Sequence, residues 1–132
     1  MARPTTIYIF DKNQQKGNYA ALRRMRHASH SRSIKIANSQ EGLESLFESG
    51  KPDLLFVDIF AGREYQQEAV MAYKWARDQI KKPEDRFEAW HIGRRGIGLQ
   101  NLPSGLYLER NNELLGKMEE LITRWEDNPQ LR

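Results

Sequence analysis

The chain has 132 residues, a net charge of +3 and no cysteine. This length suits one domain with a sizeable core, and the lack of cysteine excludes disulfides, thiolate metal sites and a cysteine nucleophile. No apolar stretch approaches the ~20 residues of a membrane span, and the start lacks the apolar region of a signal peptide. We therefore expect one cytoplasmic domain over residues 1–132, with its core at roughly 5–126.

Segments with strand composition alternate along the chain with segments of helical periodicity. In order, we predict a strand at Thr5–Phe10, a helix from Asn13 to about His27, a strand at Arg32–Ala37, a helix between Ser39 and Gly50, a strand at Leu54–Val57, a helix at Arg63–Lys82, strands at Phe87–Gly93 and Leu106–Glu109, and a final helix at Asn112–Trp125. Residues 94–105 contain three glycines and a proline, so the fourth helix is expected to be shortened or lost.

Strands that alternate with helices predict a parallel, doubly wound α/β sheet with right-handed crossovers. Five strands suggest the flavodoxin-like order 2-1-3-4-5. The alternating strand Arg32–Ala37 is expected at an edge. The continuously apolar run Leu54–Val57 is expected to be buried on both faces.

Asp58 follows that buried strand, and Asp11 follows the first strand. In open α/β sheets, functional residues gather at the carboxyl ends of the strands. Both carboxylates are therefore candidates for a functional site. The alternative for Asp58 is a cap on the next helix.

The segment from Ile36 to Ile59 resembles the receiver domain of two-component response regulators. It has an alanine ending the second strand, a short helix with a small-Leu-acid rhythm, and then Pro-Asp, an apolar run and Asp58. Leu106 to Ile122 is a second match, with Tyr107-Leu108-Glu109-Arg110 before an amphipathic helix. The Pro-x-x-x-Gly turn that follows the phosphoacceptor in receivers is missing.

The resemblance implies roles for six positions. Asp58 matches the phosphoacceptor, Asp11 matches the first acid of the magnesium pocket, and Lys12 stands where the second acid is expected. Gly93 (or Arg94) stands at the Thr or Ser that ends strand four, and Arg110 stands at the lysine that ends strand five. Tyr107 matches the aromatic residue that rotates when many receivers switch. Lys12, Gly93 and Arg110 depart from the family pattern.

These departures predict an atypical pocket, or pseudo-receiver. Mg²⁺ requires several oxygen ligands, and two like charges ~4 Å apart repel by about 4 kcal/mol at an effective dielectric of ~20. Because Lys12 replaces a carboxylate, we expect no bound cofactor and no resident metal. We also expect Lys12 and Arg110 to pair with Asp11 and Asp58 and to hold one conformation without phosphate.

The leading interpretation is a stand-alone signalling or scaffold module that is not an enzyme. It would bind a protein partner through the last strand, the final helix and residues 94–105, and a homodimer is a second option. A functional phosphoacceptor response regulator is a further alternative.

Two other classes remain open. Nucleic-acid binding would use the basic region 12–35, with phosphate contacts from Arg23, Arg24, Arg26, Arg94 and Arg95, and with stacking by Tyr19, Trp90 and His91. An enzyme would use Asp11, Asp58 and Glu109 around a metal, with His91 as a base.

Overall fold

The computed structural model describes residues 5–11, 19, 32–59, 63–80, 87–93, 106–109 and 112–127. Five strands form one sheet: β1 (Thr5–Asp11), β2 (Arg32–Ala37), β3 (Leu54–Asp58), β4 (Glu88–Gly93) and β5 (Leu106–Glu109). The strand order is β2-β1-β3-β4-β5, and every neighbouring pair is parallel. The predicted flavodoxin-like topology is confirmed, with β2 at an edge and every residue of β3 buried.

Three helices accompany this sheet: α1 (Gln40–Ser49), α2 (Arg63–Arg77) and α3 (Leu114–Asp127). The predicted helix at Asn13–His27 lies outside the described residues except for Tyr19, which is helical. The shortened or lost fourth helix, within residues 94–105, also lies outside them. Within the described parts of the chain, no helix is long and apolar enough to cross a membrane.

The prediction that the third helix runs to Lys82 is wrong, because α2 ends at Arg77. Its carboxyl end tightens, with the N–H of Gln79 bonding the carbonyl of Ala76 and the N–H of Ile80 bonding that of Arg77. The Lys51 ammonium then donates to the carbonyl of Gln79 at 2.8 Å. These bonds satisfy carbonyls that a longer helix would have used internally.

Each face of the sheet carries its own core, because side chains alternate along the strands. One face packs on α3, with core residues Ile7, Ile9, Tyr19, Ile34, Leu54, Phe56, Ile92, Leu108, Leu114, Met118, Ile122 and Trp125. The other packs on α1 and α2, with core residues Tyr8, Phe10, Ala37, Leu43, Leu55, Val57, Ile59, Ala69, Ala72, Tyr73, Ala76, Phe87 and Ala89. The α3 face is the one that carries Asp11 and Asp58 at its carboxyl edge.

Candidate functional site

Asp11 and Asp58 end neighbouring strands and are paired in the β1–β3 register. Adjacent strands lie about 4.8 Å apart, and the alternation of side chains places both carboxylates on the α3 face. Both residues are 0% exposed. Two carboxylates withdrawn from water at this separation require hydrogen-bond donors, cations or protons to offset their desolvation and mutual repulsion. The predicted pair therefore forms one enclosed site.

Tyr19 supplies one of these donors. Its hydroxyl donates a hydrogen bond to Asp11 Oδ2 at 3.0 Å, while its ring is 2% exposed and belongs to the core beneath α3. Sequence reasoning missed this contact, because an aromatic residue at helical spacing is explained equally well by core packing. The sequence contains no signal that would have linked Tyr19 to a carboxylate eight residues earlier.

Gly93 ends β4 and is, with Arg94, one of the two positions expected from the resemblance to match the Thr or Ser of receivers. A Cβ atom built there would lie 3.2 Å from both Cγ1 and Cδ1 of Ile59, which is tighter than ordinary van der Waals contact. Ile59 is itself 1% exposed, and its N–H bonds the carbonyl of Ile92 at 2.9 Å. The residue that follows Asp58 therefore fills the space that a hydroxyl-bearing side chain at position 93 would need.

Tyr107 is half-buried and lies across the end of β4. Its hydroxyl donates to the carbonyl of Gly93 at 3.1 Å, and its ring centroid is 5.2 Å from that of His91. His91 in turn contacts Tyr73 of α2 edge to face at 5.4 Å. Rotation of Tyr107 would break both the hydrogen bond and the contact with His91.

The described residues do not fit a magnesium ion. Among them, no group of three or more His, Asp or Glu side chains is arranged to hold a metal. Mg²⁺ keeps several waters in a near-octahedral shell, whereas Asp11 and Asp58 are sealed from solvent and one of the four carboxylate oxygens accepts from Tyr19.

Several predicted residues lie outside the described part of the chain. They are Lys12 and Arg110 of the pocket, and the basic residues Arg23, Arg24, Arg26, Arg94 and Arg95. The pairing of Lys12 and Arg110 with the two carboxylates therefore stays a prediction.

The stacking contacts predicted for nucleic-acid binding are wrong for two of three residues. Tyr19 and His91 are 2% and 4% exposed, so neither presents a ring face to a base. Arg32, within the predicted basic region, has a side chain that is 0% exposed. It is bound by Glu119 and Glu126 of α3. Tyr19 and His91 are instead packed inside the protein, and Arg32 belongs to an internal ion cluster.

The carboxylate trio predicted for an enzyme does not converge. Glu109 lies on β5 two residues after Tyr107, so alternation places it on the face opposite Asp11 and Asp58, and it is exposed. His91 also lies on that opposite face, packed between Tyr73 and Tyr107. Burial lowers the pKa of His91, and no carboxylate of the pair shares its face.

The predicted partner surface is partly described. The solvent side of α3 presents Gly116, Lys117, Glu120 and Arg124, and Glu113 directly precedes the helix; all five are exposed. An open depression of about 370 Å³ lies over the first turns of the helix. The remaining part of that surface, residues 94–105, lies outside the described residues.

In sequence, the chain matches no family model and no curated protein. In structure, it is similar to a CheY-like response regulator receiver domain from Methanospirillum hungatei JF-1, with 15% identity, a TM-score of 0.64, and coverage of 95% of this chain and 98% of that chain. It is also similar to a two-component response regulator from Clostridium difficile, with 18% identity, a TM-score of 0.63, and coverage of 94% and 99%.

A third similar structure is the signal receiver domain of a DNA-binding response regulator from Colwellia psychrerythraea 34H. Its identity is 13% and its TM-score 0.63, with coverage of 93% of this chain and 98% of that chain. Identities this low establish the fold alone. The chain therefore has the receiver fold.

Proposed function

We propose that this protein is a signalling or scaffold module of receiver fold that acts through contact with another protein. Its carboxylate pair is not phosphorylated in the magnesium-dependent way, and the module is not an enzyme. The observation that carries the proposal is the enclosure of Asp11 and Asp58, both 0% exposed, with Asp11 bound by the Tyr19 hydroxyl.

Phosphoryl transfer to a carboxylate relies on a cation that neutralises the charge developing on the phosphoryl oxygens. It also requires room for an in-line donor. The burial of Asp11 and Asp58 disfavours both the binding of the cation and the approach of the donor. By the resemblance, the sequence adds Lys12 in place of a second acid and Gly93 (or Arg94) in place of a hydroxyl-bearing residue.

The α3 surface supports a protein partner. It is a helical face of mixed charge, with Glu113, Lys117 and Glu120 around the depression near Gly116 and the exposed Arg124 further along the helix. Mixed charges at an interface rim contribute mainly to specificity and association rate. The proposed location is the cytoplasm.

The test is incubation of the full chain with Mg²⁺ and acetyl phosphate, followed promptly by intact mass measurement, with Asp58→Asn as the control. We expect no phosphoryl-sized mass increment and no Mg²⁺-dependent change in tryptophan fluorescence. A phosphoryl increment that the Asp58→Asn variant lacks would instead establish a working phosphoacceptor and overturn the proposal.

A further inference from the structure

We infer that the solvent side of α1 and α2 is a docking surface for a second copy of this chain, with α1 of one protomer lying on α2 of its partner. We call this surface the α1–α2 face; its exposed residues are Glu41, Ser45, Glu48, Gln67, Met71 and Lys74. It lies on the opposite side of the sheet from α3. The inference therefore goes beyond the proposed function and does not depend on it.

Met71 supplies an apolar centre to the α1–α2 face. Among the described residues it is the only large apolar side chain that is exposed, at 55%. Methionine is enriched at protein interfaces, where its flexible thioether adapts to a partner surface. Trp75 follows Met71 by one helical turn and is half-buried. Its ring contacts that of the half-buried Phe47 of α1 at 5.1 Å, so apolar surface continues from Met71 into the groove between the helices.

The two helices of the α1–α2 face carry opposite charges. α1 contains three glutamates and no basic residue, whereas the last turn of α2 carries Lys74 and Arg77. Within the described chain, neither Glu41 nor Lys74 forms an ion pair. A two-fold axis brings the same patch of both protomers together, so an acidic helix beside a basic one is complementary to its own copy.

The register of the helices fits such an axis. Both connect neighbouring parallel strands and so run in the same direction, and the Phe47–Trp75 contact places these two residues at a similar height. At a rise of about 1.5 Å per residue, Glu41 lies ~9 Å and Met71 ~6 Å from that level towards the amino ends. A two-fold axis at the height of Met71 brings Glu41 of one protomer within ~2 Å of the height of Lys74 of its partner. The pair occurs twice, because the axis repeats every contact.

The dimensions of the α1–α2 face indicate a weak dimer. The helices have 10 and 15 residues, which makes them about 15 and 22 Å long. Two such helices give an interface at the lower end of the specific range. Its charged pairs are exposed and are screened by salt. We therefore expect dimers at high protein concentration and their dissociation as the ionic strength rises.

The experiment is sedimentation equilibrium of the full chain over a wide range of concentrations. The proteins are the wild type, Glu41→Lys, Lys74→Glu, the double variant that combines them, and Lys117→Glu. Each single reversal should raise the dimer dissociation constant at least about tenfold, because it places like charges together. The double variant restores both pairs with exchanged signs and should return to within about threefold of the wild type. Lys117→Glu reverses an exposed lysine of α3 and should leave the constant unchanged.

A wild type that stays monomeric at the highest concentration would overturn the inference. So would a double variant no tighter than the single ones, or a loss for Lys117→Glu equal to that for Lys74→Glu. Met71→Ser adds an uncharged variant of an exposed side chain and should weaken the dimer; an unchanged dissociation constant would count against the α1–α2 face. Circular dichroism reports whether each variant is folded, and if a charge variant is not, the Met71→Ser result decides.

The dimer and the proposed function fail in different ways. Phosphorylation of wild-type Asp58 would overturn the proposed function and leave the dimer untouched. A wild type that is neither phosphorylated nor dimeric would leave the proposed function standing and remove only the second copy as the occupant of the α1–α2 face.

Discussion

At the scale of single residues, Tyr19 and His91 differ in whether a buried polar atom has a hydrogen-bond partner. The Tyr19 hydroxyl has a buried carboxylate as its partner. His91 is 4% exposed, and its Nδ1 atom is buried without a hydrogen-bond partner. An unsatisfied buried polar atom costs about 1–3 kcal/mol. The His91 ring contacts the rings of Tyr73 and Tyr107.

We predict that the folded protein loses stability in mild acid because of His91. Burial lowers the pKa of His91 in the folded state, so the unfolded chain, with a histidine pKa near ~6.5, binds the proton more readily. The stabilisation is fully present above pH ~6.5 and is lost as the pH falls towards the lower folded pKa. We expect His91→Phe to be at least as stable at pH 7.5 and to lose less stability at pH 5.5, measured by urea unfolding.

Burial raises the pKa of Tyr73, which contacts His91, so this phenol stays protonated in the same range. The difference in slope between the wild type and His91→Phe therefore isolates this imidazole. Parallel dependence of the two proteins on pH would contradict the prediction.

At the scale of elements, α1 illustrates local signals that act as expected. Ser39 has extended backbone angles, φ −152° and ψ 161°, and its hydroxyl accepts from the N–H of Gly42 at 3.0 Å. At the other end Gly50 adopts φ 146°, a left-handed angle that glycine tolerates and residues with a Cβ rarely adopt. The serine cap and the terminal glycine mark the two ends of α1 found in the structure, so the bounds of this helix follow from its sequence.

The Ser39 cap should be measurable in the stability of the whole protein. Ser39→Ala is expected to lower the free energy of unfolding by about 1 kcal/mol, because the N–H of Gly42 loses its acceptor. The matched control is Ser45→Ala, an exposed serine within the same helix, where alanine is the better helix former. Urea unfolding with equal losses in the two variants would refute the capping role.

At the scale of the whole molecule, an ion cluster joins the edge strand β2 to α3. Arg32 donates to both oxygens of Glu119 at 2.6 and 2.7 Å and to both oxygens of Glu126 at 2.9 Å. Thr123 adds a hydrogen bond to Glu119. Burial alone would lower the pKa of Arg32, but the hydrogen bonds and charges of the two glutamates outweigh it and raise that pKa.

Loss of Arg32 should be among the most damaging substitutions in the described chain. Arg32→Leu leaves the Glu126 carboxylate, 0% exposed, without its guanidinium, and breaking a buried pair costs about 3–5 kcal/mol. The control is Arg124→Leu, whose ion pair with Glu88 has side chains 45% and 25% exposed and should contribute less than about 1 kcal/mol. The free energy of unfolding of each variant, measured by chemical unfolding, gives the two losses to be compared.

Arg32→Met combined with Glu126→Leu should recover part of the loss, because the orphaned charge is removed as well. Equal losses for Arg32→Leu and Arg124→Leu would show that the cluster contributes no more than a surface pair.

Four features could be predicted from the sequence: the strand order, the edge position of β2, the buried strand β3, and the placement of Asp11 and Asp58 at one end of the sheet. These follow from periodicity, from capping residues and from the handedness of crossovers, all of which are local or topological. The end of α2 was less predictable, because the chain tightens after Arg77 and the carbonyl of Gln79 accepts a hydrogen bond from Lys51 of a distant segment.

The contacts between polar groups, in contrast, could be seen only in the folded chain. Arg32 binds glutamates 87 and 94 residues away, Ile59 fills the space beside Gly93, and Tyr19 bonds Asp11. The physical reason is that each contact requires two segments to be brought together by packing of the apolar core. Periodicity identifies the buried face of an element but carries no information about the polar tip of a side chain on that face.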